Sequence, residues 1–207
     1  MHIHNAPIND PEHPRNGVKT CFRMLRAVDE FSAKLVAAGK PPVAMGAGIN
    51  TGLGYIGEMG STARHSYDIL GDAVSTAARL ESACKGYGVV LIIGPSTYQA
   101  TKKDFFYLQL DCLAVKGKTV GLDIYTALDL SGSDKAFNSA NQLSHNFMHK
   151  CYKEQKFDEA ITICEQLKGS FNGKMDAYYD IWIERCGYMA TQDLPPYWDG
   201  IFRATTK

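Results

Sequence analysis

Several features that would place a chain in a class at once are missing from this one. Its six cysteines, Cys21, Cys84, Cys112, Cys151, Cys164 and Cys186, form no C-x-x-C pair. That gives neither the ligand spacing of a zinc site nor a disulfide framework, so free thiols in a reducing compartment are expected. Net charge is missing as well: 22 Lys plus Arg balance 22 Asp plus Glu. No overall field draws the chain to nucleic acid or to an anionic membrane, and any phosphate binding has to be local. The longest purely aliphatic run, VVLII at 89–93, is strand-sized, far short of the ~20 apolar residues of a membrane helix. No basic-then-apolar pattern opens the N-terminus. A cytoplasmic protein without a membrane segment is the expectation. What is present is ordinary for a globular protein: 207 residues, 45% hydrophobic and 21% charged, enough for one domain and a smaller appendage.

Residues 52–57, Gly52-Leu-Gly54-Tyr-Ile-Gly57, match the dinucleotide-binding pattern G-x-G-x-x-G. That pattern needs a strand before it and a helix starting at the second glycine, whose amides meet a pyrophosphate. The strand is there, with Val43, Met45, Ala47 and Ile49 alternating over 43–50. The helix is not: Glu58, Met59, Gly60, Ser61 and Thr62 follow, and a further glycine with two hydroxyls does not sustain one. The stretch reads as a hairpin, returning around 55–59, whose glycines supply positive φ.

Elsewhere strands and helices alternate. Val18, Cys21, Phe22, Leu25, Val28, Phe31 and Leu35 recur at helical spacing over 15–38, before Gly39 and Pro41-Pro42. A second helix is expected over 72–85, a strand at 89–93, and a short helix opened by Pro95. Two extended runs at 105–115 and 121–128 flank KGKTVG as a hairpin. This is the pattern of an α+β sandwich. DLSGSDK and the residue after it, 129–136, read as a linker, and 137–207 as a helical extension. Within it, YKEQKFDEAITICEQL (152–167) looks like half of a tetratricopeptide repeat. One copy is no array, so a helical packing element is expected. His145 and His149 stand four apart, but Asn146 lies where a metalloprotease needs glutamate and no third ligand is apparent. They read as ordinary helix residues, and no metal ligand is assigned in this chain.

SYDILGDAVSTAARLESACKGYGV, 66–89, resembles the signature of class III nucleotide cyclases, in which a tyrosine, a base-selecting residue and IGDxVNxAARLE run from strand into helix. NAPINDPEH before a helix, AGINTGLGYIGEMGS, VVLIIGPSTY and LAVKGKTVGLDIYTAL follow the family's order over residues 5–128. The resemblance implies a ferredoxin-like cyclase palm, here without its first strands and followed by the helical extension. It implies ATP or GTP as substrate and a shared site in a homodimer, or in a heterodimer with a complete catalytic domain. It also implies two Mg2+ or Mn2+ ions on two aspartates, and a cytoplasmic location, including the cytoplasmic end of a membrane-attached receptor. No nucleic acid partner is implied.

Carried over residue by residue, Asp68 takes the base-selecting position, where a carboxylate accepts from the adenine amine and repels the guanine carbonyl. ATP is therefore the expected substrate. Arg79 takes the place of the transition-state arginine. Lys116 takes that of the triphosphate-binding lysine, with Lys118 as its alternative.

Two departures stand out. Ser75 replaces the usual asparagine that orients the ribose, and a shorter hydroxyl reaches only through a water, at a cost in rate. In the family, NAP follows soon after GDxxMAFW, so the resemblance puts both metal aspartates before residue 1; neither Asp10 nor Glu12 has a matching context. Metal ligands are then expected upstream or from a partner chain, and the chain alone is expected to be inactive. A fragment of a longer cyclase, a decayed remnant, and a half-site that borrows metals remain open. So does a non-catalytic nucleotide-binding or dimerisation module.

Overall fold

The computed structural model describes residues 1–61, 64–113, 121–130 and 134–202, which pack as two compact units.

The first unit holds residues 1–84 and 90–105. Helix α1 (His13–Ala37) opens it, with Pro14 in the first turn, where a missing N–H costs nothing. Its inward stripe buries Val18 and Cys21. Phe31 is off that stripe, 55% exposed, so the expected apolar face is narrower than the spacing suggested. Strand β1 (Ala47–Ile49) is followed by β2 (Tyr55–Ser61) and β3 (Arg64–Leu70), then α2 (Asp72–Ala83), β4 (Leu91–Ile93) and α3 (Pro95–Thr101). β1 pairs in parallel with β4, Ala47 opposite Leu91 through Ile49 opposite Ile93. Leu91, Ile92 and Ile93 are all buried, as a strand covered on both faces requires.

The hairpin lies one strand later than expected: β2 pairs antiparallel with β3, Tyr55 opposite Leu70 through Ser61 opposite Arg64. The expected reason for the glycines is also corrected. Gly52, Gly54 and Gly57 are absent from the positive-φ residues, which include Gly60 and Gly71. At two of them the need is for space: a Cβ would come within 2.9 Å of the Ala73 methyl at Gly52, and 2.8 Å of Ile69 Cδ1 at Gly54.

The second unit holds 85–89 and the residues from 106 on. Strands β5 (Phe106–Leu113) and β6 (Leu122–Leu128) pair antiparallel, with a bulge between Gln109 and Asp111. KGKTVG, between them, lies outside the described residues. Three helices follow: α4 (Lys135–Lys153), α5 (Phe157–Leu167) and α6 (Asp176–Ala190). Asp134 caps α4 by accepting from the amides of Ala136 and Phe137 at 2.8 and 3.2 Å. The half-repeat stretch of 152–167 spans the end of α4, a turn with Gln155 at φ 61, and α5. Its apolar residues join an aromatic core of Tyr152, Tyr178, Tyr179 and Trp182, in which Tyr152 and Trp182 pack edge to face with centroids 4.8 Å apart.

That core is tied to the bulge in β5. His145 Nε2–H donates to the Gln109 carbonyl at 2.6 Å, and His149 Nε2–H to the same oxygen at 3.0 Å. The Tyr178 hydroxyl donates to the Leu110 carbonyl at 2.6 Å. Because a carbonyl only accepts, both rings carry the proton on Nε2, leaving His145 Nδ1 to accept from the Tyr179 hydroxyl at 3.1 Å. Burial pushes His145 down to about 4. It holds His149 well below its ordinary value, with His145 nearby adding to the effect. The two histidines are neutral donors that satisfy one carbonyl, that of Gln109, which a bulge would leave bare. Among the described residues no helix is long and apolar enough to cross a membrane.

Candidate active site

Helix α2 has two faces. Leu80 is buried and Ala73, Val74 and Ala77 half-buried, while Asp72, Ser75 and Arg79 are exposed at helical spacing on the other side. Burying Leu80 contributes about 1.5–3 kcal/mol. The inner face lies directly on β1: at Gly48 a Cβ would collide with the Ala77 carbonyl oxygen and the Glu81 amide nitrogen. Below it, burial pushes the Cys21 thiol up to about 11, with Cys84 second, so this packing is made by protonated thiols.

The loop before β2 fixes the first turn of α2. Asn50 Nδ2 donates to the Ala73 carbonyl at 3.3 Å. Its Oδ1 occupies the space a Cβ on Gly94 would need. The Thr51 and Thr97 hydroxyls share a hydrogen bond at 2.7 Å. Gly71, at φ 153, precedes the helix and lies against Leu53, where a Cβ would come within 2.8 Å of the carbonyl oxygen. The resemblance assigned no role to Asn50 or Thr97; only their neighbours in space reveal one.

Ser75 and Arg79 are one turn apart and point outward. Ser75 Oγ donates to the Asp72 carbonyl at 3.2 Å, within its own helix. Among the described residues Arg79 has no ion-pair partner. Asp68 is half-buried on β3, with one carboxylate oxygen accepting from the Ile69 amide at 2.8 Å. Its cross-strand neighbour is Gly57. Directly opposed residues share a sheet face, and a Cβ on Gly57 would have no atom within 4 Å, so the space beside Asp68 is open. Asp68, Ser75 and Arg79 thus belong to one compact unit and to consecutive elements. Lys116 and Lys118 lie outside the described residues.

Residues 1–128 match the family Adenylate and Guanylate cyclase catalytic domain. The chain belongs to this cyclase family. It is 33% identical over 179 residues to the adenylate cyclase, terminal-differentiation specific, of Dictyostelium discoideum, covering 83% of this chain and 8% of that protein. It is 29% identical over 121 residues to Adenylate cyclase 1 of Rhizobium meliloti (strain 1021), covering 58% of this chain and 18% of that protein. The chain therefore spans less than a fifth of the length of either curated cyclase. Among solved structures it resembles the adenylyl cyclase CyaB from P. aeruginosa, with a TM-score of 0.54 and 26% identity over 63% of this chain and 65% of that one. The likeness bears out the expected α+β cyclase fold with C-terminal helices. The Dictyostelium match covers more of the chain than residues 1–128 contain, so it runs into the helical extension.

The family's chemistry uses divalent metals. Among the described residues no three His, Cys, Asp or Glu side chains come together as a metal site.

Proposed function

We propose that this cyclase chain contributes to forming cyclic AMP and pyrophosphate from ATP at a site shared between two catalytic domains. The observation that carries the reading is the open side of the Asp68-to-α2 segment: an uncrowded carboxylate, then Ser75 and Arg79 on one exposed helix face. Both curated relatives named above are adenylate cyclases. A guanylyl cyclase structure matches as well, with a TM-score of 0.51 and 25% identity over 64% of this chain and 65% of that one, so the choice of base rests on Asp68. Its unoccupied oxygen accepts the exocyclic amine of adenine and opposes the carbonyl of guanine.

In the reaction the ribose 3′-hydroxyl attacks the α-phosphate in line and pyrophosphate departs. Arg79 holds the oxygens of the five-coordinate phosphorus, where a planar and permanently charged fork stabilises charge that is greatest in the transition state. Ser75 reaches the ribose through a water. Lys116 neutralises the triphosphate tail. Ligands for the family's divalent ions come from residues upstream or from a partner chain.

A second reading, a cyclase-derived nucleotide-binding or dimerisation module without turnover, is favoured by Ser75, whose hydroxyl turns back to Asp72. Complementation separates the two. The chain is mixed with a complete cyclase catalytic domain that keeps its metal aspartates but has its transition-state arginine replaced by alanine, and cyclic AMP is measured with ATP and Mn2+. Wild-type chain restores synthesis, and Arg79→Ala lowers it by ~10²–10³. No synthesis from a folded and paired chain favours the module.

A further inference from the structure

The three helices of the second unit meet water in different ways. On α5 the exposed positions are Asp158, Glu159, Thr162, Glu165 and Gln166, and on α6 they include Asp180 and Glu184. Such side chains solvate the outer face of a helix. On α4 they are missing: from Ala136 to His149 the sequence holds no Asp, Glu, Lys or Arg. Its exposed positions include Ala136, Ala140, Leu143 and Phe147, with Leu143 and Phe147 71% and 51% exposed. These four recur at intervals of four, three and four residues, the spacing of a seam between two helices. Phe137, 58% exposed, lies beside the N-terminal end of that stripe.

The unit's own core does not need this stripe. α4 already buries Asn138, His145, Met148, Cys151 and Tyr152 on its inner side. That interior is sealed down to the ion pair of Arg185 on α6 with Asp111 on β5, whose Nη1 and Oδ2 are 2.6 Å apart and whose side chains are 8% and 6% exposed. α4 therefore carries a second apolar face, where a helix packed on one core has use for one.

The second face is complementary to itself about Leu143. Ala136 stands seven residues before it and Lys150 seven after, while small Ala140 stands three before and large Phe147 four after. Asp134 caps the N-terminal end, and Lys150 and Lys153 occupy the last turn. Laid antiparallel on a second copy, Leu143 meets Leu143, each Phe147 faces the room left by an Ala140, and each Lys150 comes to the end that carries Asp134. A parallel pair would set Asp134 against Asp134 and Lys150 against Lys150, so charge selects the antiparallel arrangement. Within its own chain Lys150 is held only by Glu154, at 3.8 Å.

We infer that the outer face of α4 is a docking surface for a second copy of this chain, antiparallel, with Ala140, Leu143 and Phe147 at its centre and Asp134 and Lys150 setting its direction. The surface belongs wholly to the second unit and is independent of the catalytic reading. One helix seam is a small interface, so a weak pairing with a Kd of about 10–100 μM is expected.

The test uses full-length chain. Sedimentation velocity over about 1–200 μM compares wild type with Leu143→Glu. The substituted position is largely exposed, so the thermal midpoint should stay at the wild-type value. Because catalytic domains also pair, a short thiol cross-linker locates the contact: Ala136→Cys chain is mixed with Lys150→Cys chain, and each is also treated alone. Wild type, whose cysteines are buried except for half-buried Cys112, is the blank. The thiol of Leu143→Cys is labelled at low and at high concentration. The expected results are association weakened at least about tenfold by Leu143→Glu, since a charge is placed in the seam; cross-linking in the mixture well above either chain alone; and labelling of Leu143→Cys that is fast when dilute and slower when concentrated. A wild-type chain that stays monomeric overturns the proposal, and so does association that Leu143→Glu leaves unchanged, which would place the contact on another surface. Equal cross-linking of Ala136→Cys with itself overturns the antiparallel arrangement. A Leu143→Cys thiol protected at every concentration would mean that the chain covers this face itself, and that too overturns the proposal.

Discussion

Around α2 the chain keeps its chemistry outside, whereas among α4, α5 and α6 it encloses a cluster of aromatic and polar side chains. Ser75 and Arg79 are exposed, and Leu53 and Tyr55, at the start of β2, are 96% and 83% exposed. In the other unit Tyr152, Tyr178, Tyr179 and Trp182 are essentially sealed, and His145, His149 and Arg185 reach partners on β5 or next to it. A surface holding an arginine with no ion-pair partner among the described residues, and large uncovered apolar groups, suits a partner and a ligand, as the proposed shared site requires. A core in which His145, His149, Tyr178 and Arg185 all have partners suits rigidity. The lesson is a division of labour in which one unit is left incomplete for chemistry while the other holds its own shape.

The comparison predicts where the molecule breaks. Arg185→Met should do the most damage, because Asp111 is left as a buried carboxylate without its cation. A loss of about 3–5 kcal/mol is expected, read from the denaturant midpoint, while surface arginines tolerate the same change.

Acid should come second, and it should act on the enclosed unit. His145 titrates near 6.5 when unfolded and near 4 when folded, so below about pH 6.5 the unfolded chain binds the additional proton. Stability is fully present above that value and falls as pH drops toward 4, with a slope of up to about 1.4 kcal/mol per pH unit from each buried histidine. Thermal midpoints from pH 7 to pH 5 test this; a flat profile contradicts the buried neutral histidines.

Gly48→Ala should follow at about 1–3 kcal/mol, the usual cost of overpacking. The added methyl has to push α2 from β1, so turnover in the complementation mixture should fall with stability. The smallest effect should come from Ser75→Asn on the exposed face. Its stability should change by less than about 0.5 kcal/mol, while turnover rises if the serine is what limits ribose positioning. Equal turnover in the variant removes serine as the limitation.

Much of this was legible in the sequence where a local signal coincides with a local structure. α1 and α2 were visible in their periodicity, α3 in its opening proline, and β5 and β6 as extended runs about KGKTVG. Asp68, Ser75 and Arg79 are proposed as site residues because one contiguous motif carries them. The partner of β2 was not legible, because the glycine stretch is extended in either pairing and only β3 offers seven residues in register. The role of Gly52 and Gly54 was misjudged since crowding by Ala73 and Ile69 is a property of space and not of the loop itself. Phe31 was assigned inward because spacing alone cannot tell how wide a covered stripe is. The Arg185–Asp111 pair left no pattern, its members being 74 residues apart.

The bulge in β5 also bears on the order in which the chain takes shape during synthesis. The groups that complete it lie far downstream: His145 36 residues from Gln109, Tyr178 68 residues from Leu110, and Arg185 74 residues from Asp111. A ribosome therefore releases β5 and β6 with the Leu110 carbonyl and the Asp111 carboxylate lacking their α6 partners until that helix has emerged. Such distant closures slow folding and prolong the exposure of the strands. The last helix is in this sense an internal chaperone for a strand made well before it.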